Sequence, residues 1–253
     1  MFHRLRTPLL LAACLITVGA HADTVKVLTS GAYKPVVLAL VPGFEARTGH
    51  TVVVSNDTAG ALARRVQGGE IFDLLVLTPA GLQPFVADGK VAADSVKPLA
   101  RVAIGVAIPA GAPPIEVGTV EQFRQALLRA RRVAYIDPAA GGSSGIYLDG
   151  LFQRMGIAEH VRAKAVLVNG GLVAQKLVTG EADLAVHQIS EILPVAGAEF
   201  VGPIPEAVQN YTTYAGALSA RALHAEAGQA FLDLLAGEAG RAQLAWRGMY
   251  PPE

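Results

Sequence analysis

Cysteine is nearly missing: the 253 residues include one, Cys14, beside a single tryptophan and three methionines. One thiol cannot close an intrachain disulfide or form the clustered ligand sets of zinc ribbons and iron–sulfur centres, so those frameworks are excluded. An excess of one charge is missing as well, with 21 Lys and Arg against 21 Asp and Glu. Nucleic acid is a polyanion that demands a basic face, and none is present, so that class of partner is set aside. No HExxH helix, Walker A loop or cysteine cluster occurs, and no nucleophile elbow is assigned. His50, His160 and His224 are scattered without ligand spacing, so neither a metal nor a cofactor is expected. Only one long apolar run exists, Pro8 to Val18, shorter than the ~20 residues a membrane-spanning helix needs.

What is present starts with that run. Arg4 and Arg6 precede it, and the small-x-small triplet Ala20-His21-Ala22 follows it, which is the layout of a secretory signal. The expectation is a signal peptide over 1–22, cleaved after Ala22, and a soluble periplasmic product. Leu11-Ala12-Ala13-Cys14 also allows a lipid anchor on Cys14, though few apolar residues precede it. Cleavage removes two arginines and no acid, leaving 19 basic against 21 acidic residues, a formal charge of −2. The hydrophobic content of 52% is ample for a buried core in one large or two medium domains.

From Asp23 onward, short β-branched runs alternate with helical stretches. TVKVLTS, KPVVLALVPGFEARTG, TVVVS, ALARRVQGG and FDLLVLT follow in βαβαβ order, which implies a largely parallel sheet flanked by helices. Pro42-Gly43 predicts a kink or early break in the first helix. Ala100 to Pro114 reads as one long apolar strand ending in a Pro/Gly cluster, after which a second α/β series begins. That series closes with VGPIPEAVQN, a returning strand YTTYAGALS and helices over Leu223–Ala236 and Glu238–Trp246. Two α/β units joined by two crossing segments predict two lobes, 23–101 with 211–253 and 102–210.

Four strand ends pass into helix starts through small or polar residues: Thr29–Lys34, Ser55–Gly60, Gly141–Gly145 and Asn169–Gly171. In a parallel sheet these ends share the carboxyl edge, where ligands collect, and unpaired amides there favour an anion. Caps and turns use the same residues for structure alone, so each segment also has that plainer role. The candidate ligand-binding residues are Ser30, Tyr33, Lys34, Asn56, Thr58, Ser143, Ser144, Tyr147, Asn169 and Gln188. Asp57 is expected to cap its own helix. His187 sits with Gln188 at a strand end and is either a cleft residue or a satisfied structural histidine.

The blocks VKVLTSGAYKPVVLALVPGFEARTG, ALARRVQGGEIFDLLVLTP, DPAAGGSSGIY and GEADLAVHQISEI resemble the periplasmic solute-binding proteins of ABC transporters, in particular their molybdate-binding-protein-like group. The resemblance spans nearly all of the chain after the leader. It implies an α/β, two-lobed periplasmic-binding-protein fold (type II) with two hinge strands and a ligand cleft between the lobes. It further implies a monomer that hands a small anionic ligand to an inner-membrane ABC permease. Members that bind molybdate place serines at the first two helix starts and a tyrosine late in the second lobe; those positions align here with Ala32, Ala59 and Gln188. Losing those hydroxyls points away from molybdate and toward another oxyanion or an organic carboxylate. The same superfamily resembles periplasmic aconitate isomerase, which implies the alternative of an isomerase interconverting cis- and trans-aconitate by proton transfer, with His187, Lys34 and Tyr33 as acid–base candidates.

Overall fold

The computed structural model describes residues 22–253. The expected leader, its cleavage signal and Cys14 lie outside the described residues, apart from Ala22 at the edge. Among the described residues, eleven strands build two sheets. The six-stranded sheet holds β1 (Thr24–Ser30), β2 (Thr51–Asp57), β3 (Leu74–Leu77), β4 (Lys97–Val102), and later β10 (Thr212–Leu218) and β11 (Met249–Tyr250), in the order β11-β4-β10-β3-β1-β2. The five-stranded sheet holds β5 (Ile104–Pro109), β6 (Val133–Ile136), β7 (Ala165–Val168), β8 (Leu184–Gln188) and β9 (Ala198–Pro203), in the order β7-β6-β8-β5-β9.

The βαβαβ pattern yields parallel pairing of β1 with β2 and β3, and of β6 with β7 and β8; β10 and β5 run antiparallel to their neighbours. Both faces of each sheet are covered, so the strands are apolar throughout rather than alternating. In β3, Leu74 and Val76 enter one core while Leu75 and Leu77 enter another. In β6, Val133 and Tyr135 face one core of the second sheet and Ala134 and Ile136 the other. Each lobe is therefore a three-layer unit with its own cores.

The apolar stretch expected as one strand is two. It divides at Ala103, with β4 pairing in the first sheet and β5 in the second. The chain returns through residues 203–212, so two neighbouring connections form the hinge. The first helix, α1 (Lys34–Thr48), also departs from expectation by running unbroken through Pro42. Proline removes the bond to the carbonyl of Leu38, but Leu38 and Pro42 both lie on the exposed side of the helix, where solvent can take the place of that bond. Helices α2 (Ala59–Gln67), α3 (Pro79–Ala87) and α4 (Val120–Arg129) start on threonine caps at 58, 78 and 119. They are followed by α5 (Ser143–Arg154), α6 (Ala158–Arg162), α7 (Gln175–Val178), α8 (Ile189–Ile192), α9 (Ala225–Ala236) and α10 (Glu238–Ala242).

Candidate functional site

The carboxyl ends of β1, β2, β6 and β8 converge on the seam between the lobes. A small cavity lies there, lined by Ser30, Ala32, Asn56, Asp57, Thr58 and Ala59 from one lobe. Ile136, Gly142, Ser143, Ser144, Gly171, His187, Gln188 and Glu191 line it from the other, and Tyr214 from the return strand β10. The lobes touch beside it, where Gly60 N–H donates to Gly141 C=O at 3.0 Å and the Thr58 hydroxyl to Ala140 C=O at 2.6 Å. A side chain at either glycine would collide with the other, since a Cβ on Gly60 would stand 2.8 Å from Gly141 Cα.

Seven of the residues singled out in the sequence, Ser30, Asn56, Thr58, Ser143, Ser144, His187 and Gln188, meet at this cavity. Ala32 and Ala59 line it too, so the positions without hydroxyls do face the ligand space. Tyr33 and Tyr147 stand outside it. Tyr33 is fully buried in the core of the first lobe, its hydroxyl 3.5 Å from Leu235 C=O. Tyr147 lies one helical turn below Ser143, donates to Val208 C=O at 2.8 Å and stacks under Arg154. Lys34 and Asn169 are absent from the lining. Lys34 begins α1 and acts on Glu191 through its charge; Asn169 is exposed, while Gly171 reaches the cavity. Asp57 is not the cap of α2. That role falls to Thr58, which accepts from Ala61 N–H, leaving the Asp57 carboxylate on the cavity wall 3.8 Å from Arg65 Nη1.

The wall supplied by α5 is rich in donors. Its N-cap is Gly142, which has no side chain to satisfy the first turn, and the first backbone bond is Ile146 N–H to Gly142 C=O. The amides before Ile146 therefore remain available to an anion, together with the Ser143 and Ser144 hydroxyls. Ser30 lines the same cavity, and its Oγ is buried with no hydrogen-bond partner among the described residues. Gly141 to Gly145 matches the letters G-x-S-x-G, but Ser143 is the first residue of a regular helix and no described residue other than glycine has positive φ. The strained elbow that would make such a serine a nucleophile is not formed. At the cavity floor the Gln188 amide donates to the Tyr214 hydroxyl at 2.9 Å, joining β8 of one lobe to β10 of the other.

Two residues there were not singled out from sequence: Tyr214 and Glu191. Glu191 lies on α8, four residues beyond His187, with Oε2 3.3 Å from His187 Nε2. Both side chains are almost wholly buried. Burial raises the Glu191 carboxyl to about 8 against a smaller opposing effect of the Lys34 charge, and lowers His187 to about 3. Both shifts favour the uncharged forms of this 3.3 Å pair over an ion pair. The other imidazole nitrogen, Nδ1, is buried without a partner among the described residues. A carboxyl poised near neutral pH, backed by an imidazole and facing an anion cradle, can exchange a proton with a bound acid.

Two α/β lobes closing on a donor-lined cavity across a two-strand hinge define the binding-protein class of fold. A family model described as bacterial extracellular solute-binding protein matches residues 25–250, and the chain belongs to that family. An aconitate isomerase from a Pseudomonas species is 33% identical over 261 residues, covering 99% of this chain and 98% of the relative. Solved structures share the fold at lower identity. The periplasmic molybdate-binding protein of Azotobacter vinelandii has a TM-score of 0.77 at 18% identity, covering 90% of this chain and all of that one. The sulfate-binding protein SubI of Mycobacterium tuberculosis H37Rv has a TM-score of 0.73 at 17% identity, covering 91% and 87%.

Proposed function

We propose that this protein is an exported isomerase that binds a small unsaturated tricarboxylate between its lobes and interconverts its cis and trans forms, a reading supported by its likeness to the Pseudomonas protein named aconitate isomerase. The observation that carries the proposal is the buried contact of Glu191 with His187 on the wall of the cavity. Rotation about a carbon–carbon double bond is blocked until that bond becomes single, and a proton shift along an allylic unit achieves this. In the minor fraction of complexes where Glu191 is ionised, it takes a proton from the methylene beside the double bond; the C–H electron pair delocalises over the three carbons and into a carboxylate. After rotation, Glu191 returns the proton to the far carbon, and the double bond has moved. His187 accepts or returns the hydrogen bond of Glu191 as its charge changes. The amides of α5 and the hydroxyls of Ser30, Ser143 and Ser144 hold the carboxylates and stabilise the charge that develops. The base strength given by burial suits abstraction from carbon near neutral pH.

On this reading residues 23–101 with 211–253 form one lobe, 102–210 the other, and the leader exports a monomer to the periplasm. Proton NMR of the protein with cis- or trans-aconitate, without added metal, tests it: each isomer is expected to yield the other. Saturable binding of both without exchange refutes isomerase action on this substrate. It would leave the second reading, favoured by the family fold and the α5 cradle, of a receptor passing an organic anion or oxyanion to an ABC permease.

A further inference from the structure

Helix α8 grows out of β8 in the second lobe, yet the first lobe supplies its walls. A Cβ on Gly31, in the turn after β1, would stand 2.4 Å from Glu191 Oε1. A Cβ on Gly248, just before β11 and at φ +64°, would stand 2.3 Å from Ile189 Cγ2 and 3.1 Å from Leu193 Cδ1. Two glycines of the first lobe therefore let its backbone press directly onto the helix that carries the carboxyl. From within its own lobe Glu191 has only His187 as a polar partner among the described residues. When the lobes part, the wall that keeps water from this carboxyl leaves with Gly31 and Gly248.

We propose that Glu191 changes protonation with lobe closure, ionised and hydrated in the open protein and protonated in the closed one, so that capture of an anion takes up one proton. The proposal rests on the cavity being an anion site between moving lobes; it does not require that the anion be converted. The proton passes from buffer or water to a Glu191 oxygen, and no other bond changes. Around the carboxyl stand His187 on β8, Tyr214 on β10, Lys34 at the start of α1 and Asp57 across the cavity at the end of β2. Lys34 favours ionisation, the incoming anion opposes it, and His187 and Tyr214 are neutral. Burial decides the balance toward the protonated form.

Calorimetric titration of the full chain with trans-aconitate at pH 7, in PIPES and in Tris, tests this. The binding enthalpy is expected to differ between buffers in proportion to their ionisation enthalpies, by most of one proton. In Glu191→Gln, which keeps the shape of the side chain and still binds, that dependence is expected to vanish. A wild-type enthalpy independent of buffer overturns the proposal, as does a dependence that persists unchanged in Glu191→Gln. Carbon NMR of [13Cδ]glutamate-labelled wild type gives the same answer without a variant. One carboxyl is expected to be ionised at pH 7 in the free protein and protonated with ligand; a carboxyl with the same titration in both states overturns it. Proton uptake without interconversion of the aconitates removes the isomerase reading alone, and interconversion without uptake removes this proposal alone.

Discussion

Gly31→Ala is the sharpest perturbation of the site because it adds one methyl group and no charge. The new Cβ would sit 2.4 Å from Glu191 Oε1, more than 1 Å inside van der Waals contact. Either the carboxylate swings away from His187 or the lobes stop short of full closure. Overpacking of this kind costs about 1–3 kcal/mol. It falls on the closed state only, so the affinity for trans-aconitate should weaken by roughly 5- to 150-fold while the melting temperature of the ligand-free protein stays near that of wild type. Turnover should fall further than affinity, since a displacement of about 1 Å at a reacting group is worth on the order of a hundredfold. The carboxyl, no longer sealed from water, should ionise at lower pH than in wild type, so the residual rate should reach its plateau at a lower pH. Calorimetry, thermal melts and isomerisation rates across pH 5–9 give the three readouts. Wild-type affinity and rate in Gly31→Ala would show that the first lobe does not seat against Glu191, and the reasoning about closure would fall.

Replacing both Ser143 and Ser144 by alanine removes two hydroxyl donors from the cradle and leaves the α5 amides, so anion affinity should drop about 5- to 30-fold by calorimetry with little change in fold stability. Tyr147→Phe deletes the bond to Val208 C=O, outside the cavity lining; it should lower stability by about 1 kcal/mol in urea unfolding and leave ligand affinity unchanged. With ligand saturating, Glu191 is an acid whose folded value, about 8, lies above its ordinary 4.5. Its contribution to the complex is fully present below pH 4.5 and lost as pH rises through 8, so the complex should lose melting temperature relative to Glu191→Gln between pH 5 and 8. The opposite slope for this difference would reverse the assignment of the neutral carboxyl.

The architecture was legible because buried parallel strands and capped helices leave strong local signals. LLVL and VAYI are apolar at every position, as strands covered on both faces must be. The division of residues 100–109 between two sheets was not legible. The crossing at Ala103 is as apolar as the strands around it, and only pairing partners reveal it. Among site residues, the glycine- and serine-rich turn could be placed because its backbone role dictates its composition. Tyr33 and Tyr147 misled because a hydroxyl at a helix start gives no sign of whether its ring faces the core; both rings are held by packing. Glu191 was missed for the opposite reason. In ISEILPV a lone acid among apolar residues reads as the exposed side of a helix, and its burial comes from Gly31, 160 positions earlier in the chain.

That burial bears on whether the protein captures or converts. A receptor for an anion needs donors, and Ser30, Ser143, Ser144 and the α5 amides supply them without any titratable group. A carboxyl and an imidazole sealed beside those donors weaken the closed state, because burial disfavours their charged forms and leaves His187 Nδ1 without a partner. Glutamine at position 191 would fill the same space at lower cost. For a protein that only captures, Glu191→Gln should therefore bind as tightly as wild type or more tightly at pH 7–8, with nothing lost. For a protein that moves a proton on its ligand, the same variant should retain binding and lose at least about a hundredfold in turnover, the usual contribution of a general base. Both quantities can be measured on one preparation, with calorimetry for affinity and NMR for exchange. Unchanged exchange in Glu191→Gln would mean that the proton travels through another group, and the chemistry would have to be reassigned away from α8.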